Sequence, residues 1–397
     1  MRPTSVLATV TGRDRPGVTA AFFSALAAHD VDVRDVEQVV IRDRLILTVL
    51  CDLRGDPSAL RSSATTTARV LGMECEIAVA DVAARHDQDG GLRQGSRSHV
   101  IVLGHPLRAG AVSHIAQSIA DHGGNIESIA QLSAEPAASL ELMVRTSDPA
   151  GLRAALVQAA GDTGVDVAVE QAGLRRRAKR LVVLDVDSTL IREEPIDVLA
   201  ERAGVRTQVE AVTARATAGE LDYAGSLRER VALLAGLPLA EVEAVRDEWQ
   251  LTTEARTFVR TLHRLGYQVG AVSGGFTVFT DRLVDEFGLD FAAANELEIV
   301  DGRVTGRVCG TILDRAGKAA ALRRFAAGFG VPLSQTVAVG DGPNDIDMIE
   351  AAGLGIAFNA KSALRAAADA TVNVSYLDSV LFVLGLSREE IDEAAAE

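Results

Sequence analysis

Leu181-Val182-Val183-Leu184-Asp185-Val186-Asp187-Ser188-Thr189 is the stretch that decides the fold of this chain. Four apolar residues in succession, without polar alternation, suit a strand buried on both faces of a parallel sheet. The run stops on a carboxylate, and a second carboxylate follows two residues later. Comparable apolar runs recur at 269–272, 336–339 and 354–358, separated by stretches of helical periodicity. That order predicts the right-handed crossovers of a doubly wound, Rossmann-like α/β sheet. Ligands of such sheets bind beyond the carboxyl ends of the strands. Three of those ends carry polar residues: the opening stretch itself, Ser273-Gly274-Gly275, and Gly340-Asp341-Gly342-Pro343-Asn344-Asp345.

Carboxylates gathered at one rim repel each other unless a cation sits among them, and hard oxygen donors with little Cys or His select Mg²⁺. Asp185, the backbone carbonyl of Asp187, and Asp341 are the predicted ligands, which leaves positions open for water and a phosphate oxygen. Phosphoryl transfer follows from that arrangement. Asp185, first after the strand, is the predicted nucleophile, and Asp187 the general acid and base. Ser273 and the Gly274 backbone N–H would donate to the phosphoryl oxygens, and Lys318 would bring a compact positive charge to the same group. Asn344 and Asp345 would orient metal-bound water, with Asn344 also within the substrate site.

Farther out, residues 190–256 are helical in periodicity and contain no strand run, as expected of a helical cap inserted into the sheet domain. Residues 291–309, with Asp301-Gly302 between β-prone runs, read as a hairpin beside the sheet. Upstream, the basic run Arg175-Arg176-Arg177-Ala178-Lys179-Arg180 lacks interleaved aromatics and reads as a solvated connector. Before it a βαββαβ order occurs twice. The first copy has strands at 6–10, 31–40, 45–53 and 74–79 and helices at 18–28 and 58–71. The second has strands at 99–103, 125–133, 139–144 and 165–169 and helices at 111–122 and 149–160. Each is a ferredoxin-like α+β unit. A shift of 93 carries Gly17 to Gly110, His29 to His122 and Gln38 to Gln131, and the polar, Gly-bearing stretch up to 98 reads as a linker between the copies.

Composition narrows the function classes. The 397 residues carry 40 Lys+Arg against 55 Asp+Glu, a net charge of −15 that disfavours nucleic acid as a partner. Three scattered cysteines give neither a disulfide framework nor a zinc motif, in keeping with a reducing cytoplasm. The first residues are unlike a secretory leader, and no stretch has the length and apolarity of a membrane span, so a soluble cytoplasmic protein is expected. The seven histidines have no ligand spacing and read as structural or surface groups, and Trp249 reads as cap core. No GxGxxG or P-loop pattern opens a helix.

DVDST, SGG, a lone lysine and GDGPND, in this order, resemble the motif series of the haloacid dehalogenase superfamily. With DVDSTLIREE and SLRERV, the resemblance extends to those members that hydrolyse O-phospho-L-serine to L-serine and phosphate, and covers about residues 180–385. It implies an aspartyl-phosphate intermediate on Asp185 and substrate recognition by Glu194 and Arg230. Chemistry agrees, since phosphoserine presents an ammonium for a carboxylate and a carboxylate for a guanidinium. The duplicated units resemble ACT domains, regulatory modules that bind amino acids and pair across subunits. That resemblance implies L-serine as a regulatory ligand near Gly17 and Gly110, and a homodimer. The expected layout is therefore ACT-like domains at 1–84 and 99–172 joined by a linker at 85–98, then a phosphatase domain at 180–397. Its core would comprise 180–192 and 257–397 and its cap about 193–256. Two alternatives remain at this point: a phosphatase or phosphotransferase of the same superfamily acting on another small phosphometabolite, and a catalytically silent amino-acid sensor.

Overall fold

The computed structural model describes residues 3–80, 95–173, 176 and 178–396, which fall into two compact units divided between 94 and 95. In the first unit, β1 (Thr4–Arg13), β2 (Val31–Ile41), β3 (Arg44–Leu53) and β4 (Glu74–Ala80) form an antiparallel sheet in the order β2-β3-β1-β4. Helices α1 (Val18–Ala27) and α2 (Pro57–Val70) share a core with it. On β3 the inward residues Leu45, Leu47, Val49, Cys51 and Leu53 are buried in strict alternation and meet Phe22 and Leu26 of α1. Gly17 caps α1 at φ 91, a left-handed conformation open to glycine without strain. The edge strand β2 leaves Val33, Val36, Val39, Val40 and Ile41 exposed.

The second unit repeats the ferredoxin-like order with β5 (Ser96–Gly104), α3 (Ala109–Asp121), β6 (Asn125–Ser133), β7 (Ala138–Thr146), α4 (Pro149–Thr163) and β8 (Asp166–Gln171). Its sheet is continuous with that of the α/β part, which the chain enters again at Leu181. A single eleven-stranded sheet runs β12-β11-β10-β9-β13-β14-β15-β8-β5-β7-β6. Its α/β strands are β9 (Leu181–Leu184), β10 (Gln268–Phe276), β11 (Phe291–Val300), β12 (Arg303–Cys309), β13 (Thr336–Gly340), β14 (Leu354–Phe358) and β15 (Ala370–Val372). The strand β9 is fully buried and lies between β10 and β13, parallel to both. The register aligns Leu184 with Ala271 on one side and Val339 on the other. Asp185 therefore emerges at the same rim as Ser273 and Asp341, where the chain changes direction across the sheet.

Helices α5 (Pro195–Arg202), α6 (Arg206–Thr217), α7 (Tyr223–Leu233) and α8 (Leu239–Glu248) form the expected cap, and α9 (Ala255–Arg264) returns the chain to β10. Trp249 is partly buried and packs on Phe279, with ring centroids 5.7 Å apart, against the apolar cluster of the cap. The remaining helices are α10 (Thr277–Phe287), α11 (Arg315–Gly328), α12 (Ile346–Ala351), α13 (Ser362–Ala367), α14 (Ser379–Val383) and α15 (Arg388–Ala396).

Four sequence expectations need correction. The linker read at 85–98 is too long: β5 begins at Ser96, where pairing with Thr146 already fixes the chain, while 85–94 lie outside the described residues. The basic run is not a solvated connector. Arg175 and Arg177 lie outside the described residues, but Lys179 is 2% exposed and Arg176 pairs with Glu141 (2.7 Å) and Glu170 (3.3 Å). Burial of these cations is offset by the carboxylates of β7 and β8, which a local reading does not see. Residues 291–309 do not stand beside the sheet: β11 extends it, parallel to β10, before turning back into β12. Finally, the second ferredoxin-like unit does not stand apart from the α/β part: β8 pairs with β15 at Ala370↔Ala168, so the two share one sheet and one compact unit.

Candidate active site

Beyond Leu184 the backbone leaves β9 in a single wide turn, Val186–Leu190, with Ser188 at φ 60. Asp185 caps this turn. Its Oδ1 accepts the Val186 N–H at 2.8 Å, and its own N–H donates to the Val339 carbonyl at 2.9 Å. Lys318 reaches the same oxygen from the first turn of α11, where Asp314 caps the helix by accepting the Gly317 N–H. Lys318 Nζ lies 2.7 Å from Asp185 Oδ1 and 2.6 Å from Asp345 Oδ1, and all three residues are at most 1% exposed. Burial pulls the lysine pKa down, but Asp185 and Asp345 outweigh it and hold the ammonium more firmly protonated than usual.

One lysine does not neutralise this rim. Asp185, Asp341 and Asp345 place carboxylate oxygens within 4.8 Å of one another. Burial, then Asp345, raises the Asp185 carboxyl well above its ordinary value, and the same two causes push Asp341 up to about 6. A buried all-oxygen donor set with surplus negative charge fits a hard divalent cation. The carboxylate of Asp345, expected only to orient water, belongs to this cluster and also accepts the Gly342 N–H at 3.1 Å. The Asp187 carboxylate is not part of it. Asp187 Oδ2 instead accepts from Ser273 Oγ at 3.3 Å, and burial followed by Glu194 pushes its pKa up to about 7.

Cap and rim enclose a cleft of about 480 Å³ lined by Asp185, Asp187, Glu194, Tyr223, Arg230 and Lys361, among others. Asn344 and the Gly274 backbone also line it, while Ser273 and Lys318 lie buried beneath its surface. Glu194 caps α5 ahead of Pro195 and accepts from Ser188 Oγ at 3.2 Å. Arg230 is in the last turn of α7, its Nε donating to the Ser226 carbonyl at 3.4 Å, whereas Arg228 is exposed. The structure thus gathers Asp185, Asp187, Glu194, Arg230, Ser273, Gly274, Lys318, Asp341, Asn344 and Asp345 at one place. The two glycines of the N-terminal loops differ: Gly17 precedes α1, but Gly110 lies inside the first turn of α3, after the cap Arg108. Sequence reasoning missed Tyr223, Asn295 and Lys361. An aromatic three residues before Ser226, at the start of the SLRER stretch, was the visible signal for Tyr223.

A parallel sheet with carboxylates, a hydroxyl and one lysine at its carboxyl rim, under an inserted helical cap, is the build of a haloacid dehalogenase-like hydrolase. Residues 182–350 match that family, and residues 4–78 and 96–170 each match the ACT domain. Over 392 residues the chain is 53% identical to the phosphoserine phosphatase of Streptomyces coelicolor, covering 98% of this chain and 94% of that one. It is 52% identical over 399 residues to the phosphoserine phosphatase SerB2 of Mycobacterium tuberculosis, covering 99% and 96%. A crystal structure of a haloacid dehalogenase family hydrolase from Salmonella enterica superposes with a TM-score of 0.63 at 27% identity, over 72% of this chain and 98% of that one. The chain belongs to the phosphoserine phosphatase family of haloacid dehalogenase-like hydrolases that carry two ACT domains.

Proposed function

We propose that the chain hydrolyses O-phospho-L-serine to L-serine and inorganic phosphate in L-serine biosynthesis, in the cytoplasm, and that L-serine regulates it through the ACT domains. The observation that carries the substrate is the cleft itself, which presents Glu194 and Arg230 on the same cavity as Asp185 and Asp187. A carboxylate for the substrate ammonium and a guanidinium for its carboxylate fix the amino-acid end, so the phosphate is directed to the rim.

Asp185 Oδ1 is held by Lys318 and the Val186 N–H, which leaves Oδ2 to attack phosphorus. As the P–O bond to serine breaks, Asp187 gives its proton to the leaving oxygen. A water molecule then attacks the aspartyl phosphate, Asp187 takes its proton, and the carboxylate of Asp185 is regenerated with release of phosphate. Ser273, the Gly274 N–H and Lys318 hold the phosphoryl oxygens, and Asn344 orients water and substrate. Asp185, the Asp187 carbonyl and Asp341, backed by Asp345, would hold Mg²⁺, which when bound offsets the negative charge of the phosphoryl group. No helix among the described residues is long and apolar enough to cross a membrane, in keeping with the proposed location. The proposed layout keeps an ACT domain at 1–84, begins the second with β5 at Ser96 and ends it at 172, and keeps a phosphatase core at 180–192 and 257–397 and a cap at 193–256. The exposed valines of the β2 edge favour association with a second copy, and hence a homodimer.

Phosphate release from a panel of phosphate esters, with and without Mg²⁺, tests the reading. Phosphoserine should lead the panel, and Arg230→Lys should lower its kcat/KM by roughly tenfold to a hundredfold, because an ammonium lacks the planar fork. Equal rates on esters without an ammonium and carboxylate would reject the assignment of Glu194 and Arg230.

A further inference from the structure

Tyr223 is the first residue of the cap helix α7, which starts at the cap residue Asp222. Its hydroxyl crosses to the core and donates to the Gly274 carbonyl at 3.0 Å. The same carbonyl accepts from Asn295 Nδ2 at 2.8 Å, and Asn295 is itself fixed by the Leu313 N–H, which donates to its Oδ1 at 2.7 Å. The other end of that peptide unit, the Gly275 N–H, donates to Ser273 Oγ at 2.7 Å, and Ser273 Oγ donates on to Asp187 Oδ2. A single peptide plane therefore joins a hydroxyl on the cap to the serine and the carboxylate at the reaction centre. Donation to its carbonyl polarises its N–H and strengthens the hold on Ser273.

Resting on the phosphoserine reading, we propose that Tyr223 is a positioning residue that latches the cap to the Gly274–Gly275 peptide and so sets Ser273 and Asp187 for reaction when the cleft is shut. Asn295 comes from the core and holds the carbonyl whatever the cap does. Tyr223 comes from the cap, so its bond exists only in the closed arrangement. A phenol is protonated throughout the neutral range, and burial pushes this one up further, to about 12, so the hydroxyl remains a donor. The latch also accounts for glycine at 274: a Cβ there would stand 2.1 Å from the Tyr223 hydroxyl oxygen.

The variant Tyr223→Phe keeps the ring and removes the bond. In the full-length protein with Mg²⁺, kcat for phosphoserine should fall about tenfold, the scale of one lost hydrogen bond in a buried site, while KM moves by less than about twofold. Hydrogen exchange of residues 222–234, measured with saturating inorganic phosphate, should become faster, and the thermal midpoint should be retained. A rise in KM with kcat intact would make Tyr223 a mere binding contact, and unchanged exchange in 222–234 would show that it does not hold the cap. Either result overturns the proposal. If the wild-type protein fails to hydrolyse phosphoserine, the substrate reading falls, and the same kcat and exchange measurements with p-nitrophenyl phosphate still decide the role of Tyr223.

Discussion

Asp185 owes its position to three independent constraints: the buried strand behind it, the Val186 N–H in front, and Lys318 across the rim. The substitution Asp185→Asn removes the nucleophilic oxygen while sparing the fold of β9. Turnover of phosphoserine should fall by on the order of 10³-fold or more, and no acid-stable protein-bound phosphate should form from labelled substrate. Residual turnover near the wild-type level would place the nucleophile elsewhere. These residues were legible in the sequence because each stands at the end of an apolar run, directly or after a single glycine, so that strand register brings 185, 273 and 341 together. Lys318 was legible only as the lone lysine between SGG and GDGPND in the motif series. Tyr223 was not legible in its role, because its hydroxyl is defined by a carbonyl 51 residues away on a different layer of the fold. Nor was Asp345 separable from a water-orienting group, since spacing alone does not say that Lys318 bonds it directly.

At the scale of elements, the connector before β9 shows how a local reading fails. A run of arginine and lysine suits solvent on its own, yet Glu141 on β7 and Glu170 on β8 draw Arg176 and Lys179 against the sheet. Lys179 Nζ also donates to the Gly353 carbonyl at 2.9 Å, which ties the connector to the turn before β14. The strand β15 escaped notice for a different reason: three residues, Ala370, Thr371 and Val372, are too few to show a period. The Glu141 carboxyl is held below its ordinary value of 4.5 by the hydrogen bond from His99 and then by Arg176, which outweigh its desolvation. A folded-state value below the unfolded one means that its stabilisation is complete above about pH 4.5 and is lost as the pH falls through the folded value. Thermal midpoints of the wild type and Glu141→Gln should therefore differ by several degrees at neutral pH and converge in strong acid. A difference that persists unchanged in acid would mean that Glu141 acts through packing alone.

Across the whole molecule, the two ACT domains are not equivalent in their attachment. The second shares the eleven-stranded sheet with the phosphatase core and is bolted to it by polar contacts. Arg153 Nη2 donates to Asp369 Oδ1 at 2.7 Å, Asp369 Oδ2 accepts the Gly355 N–H at 2.8 Å, and Asp166 accepts from the Asn373 backbone at 2.6 Å. The first is a compact unit of its own with a separate core. A chain beginning at residue 95 should therefore keep its turnover and its thermal midpoint. One beginning at residue 180 uncovers the β15 edge and strips those contacts, and its midpoint should drop by about 10 °C, the scale of a few lost kcal/mol in a domain of this size. L-serine distinguishes regulation from product binding in the same pair of chains. As the product it competes with phosphoserine in the cleft, and that competitive inhibition should survive removal of residues 1–94. Inhibition that passes through the loop at Gly17 should instead be non-competitive in the full-length protein and vanish from the chain that begins at residue 95. Non-competitive inhibition retained by the shorter chain would remove the first ACT domain from the regulatory site and leave the second, through its shared sheet, as the domain that answers L-serine.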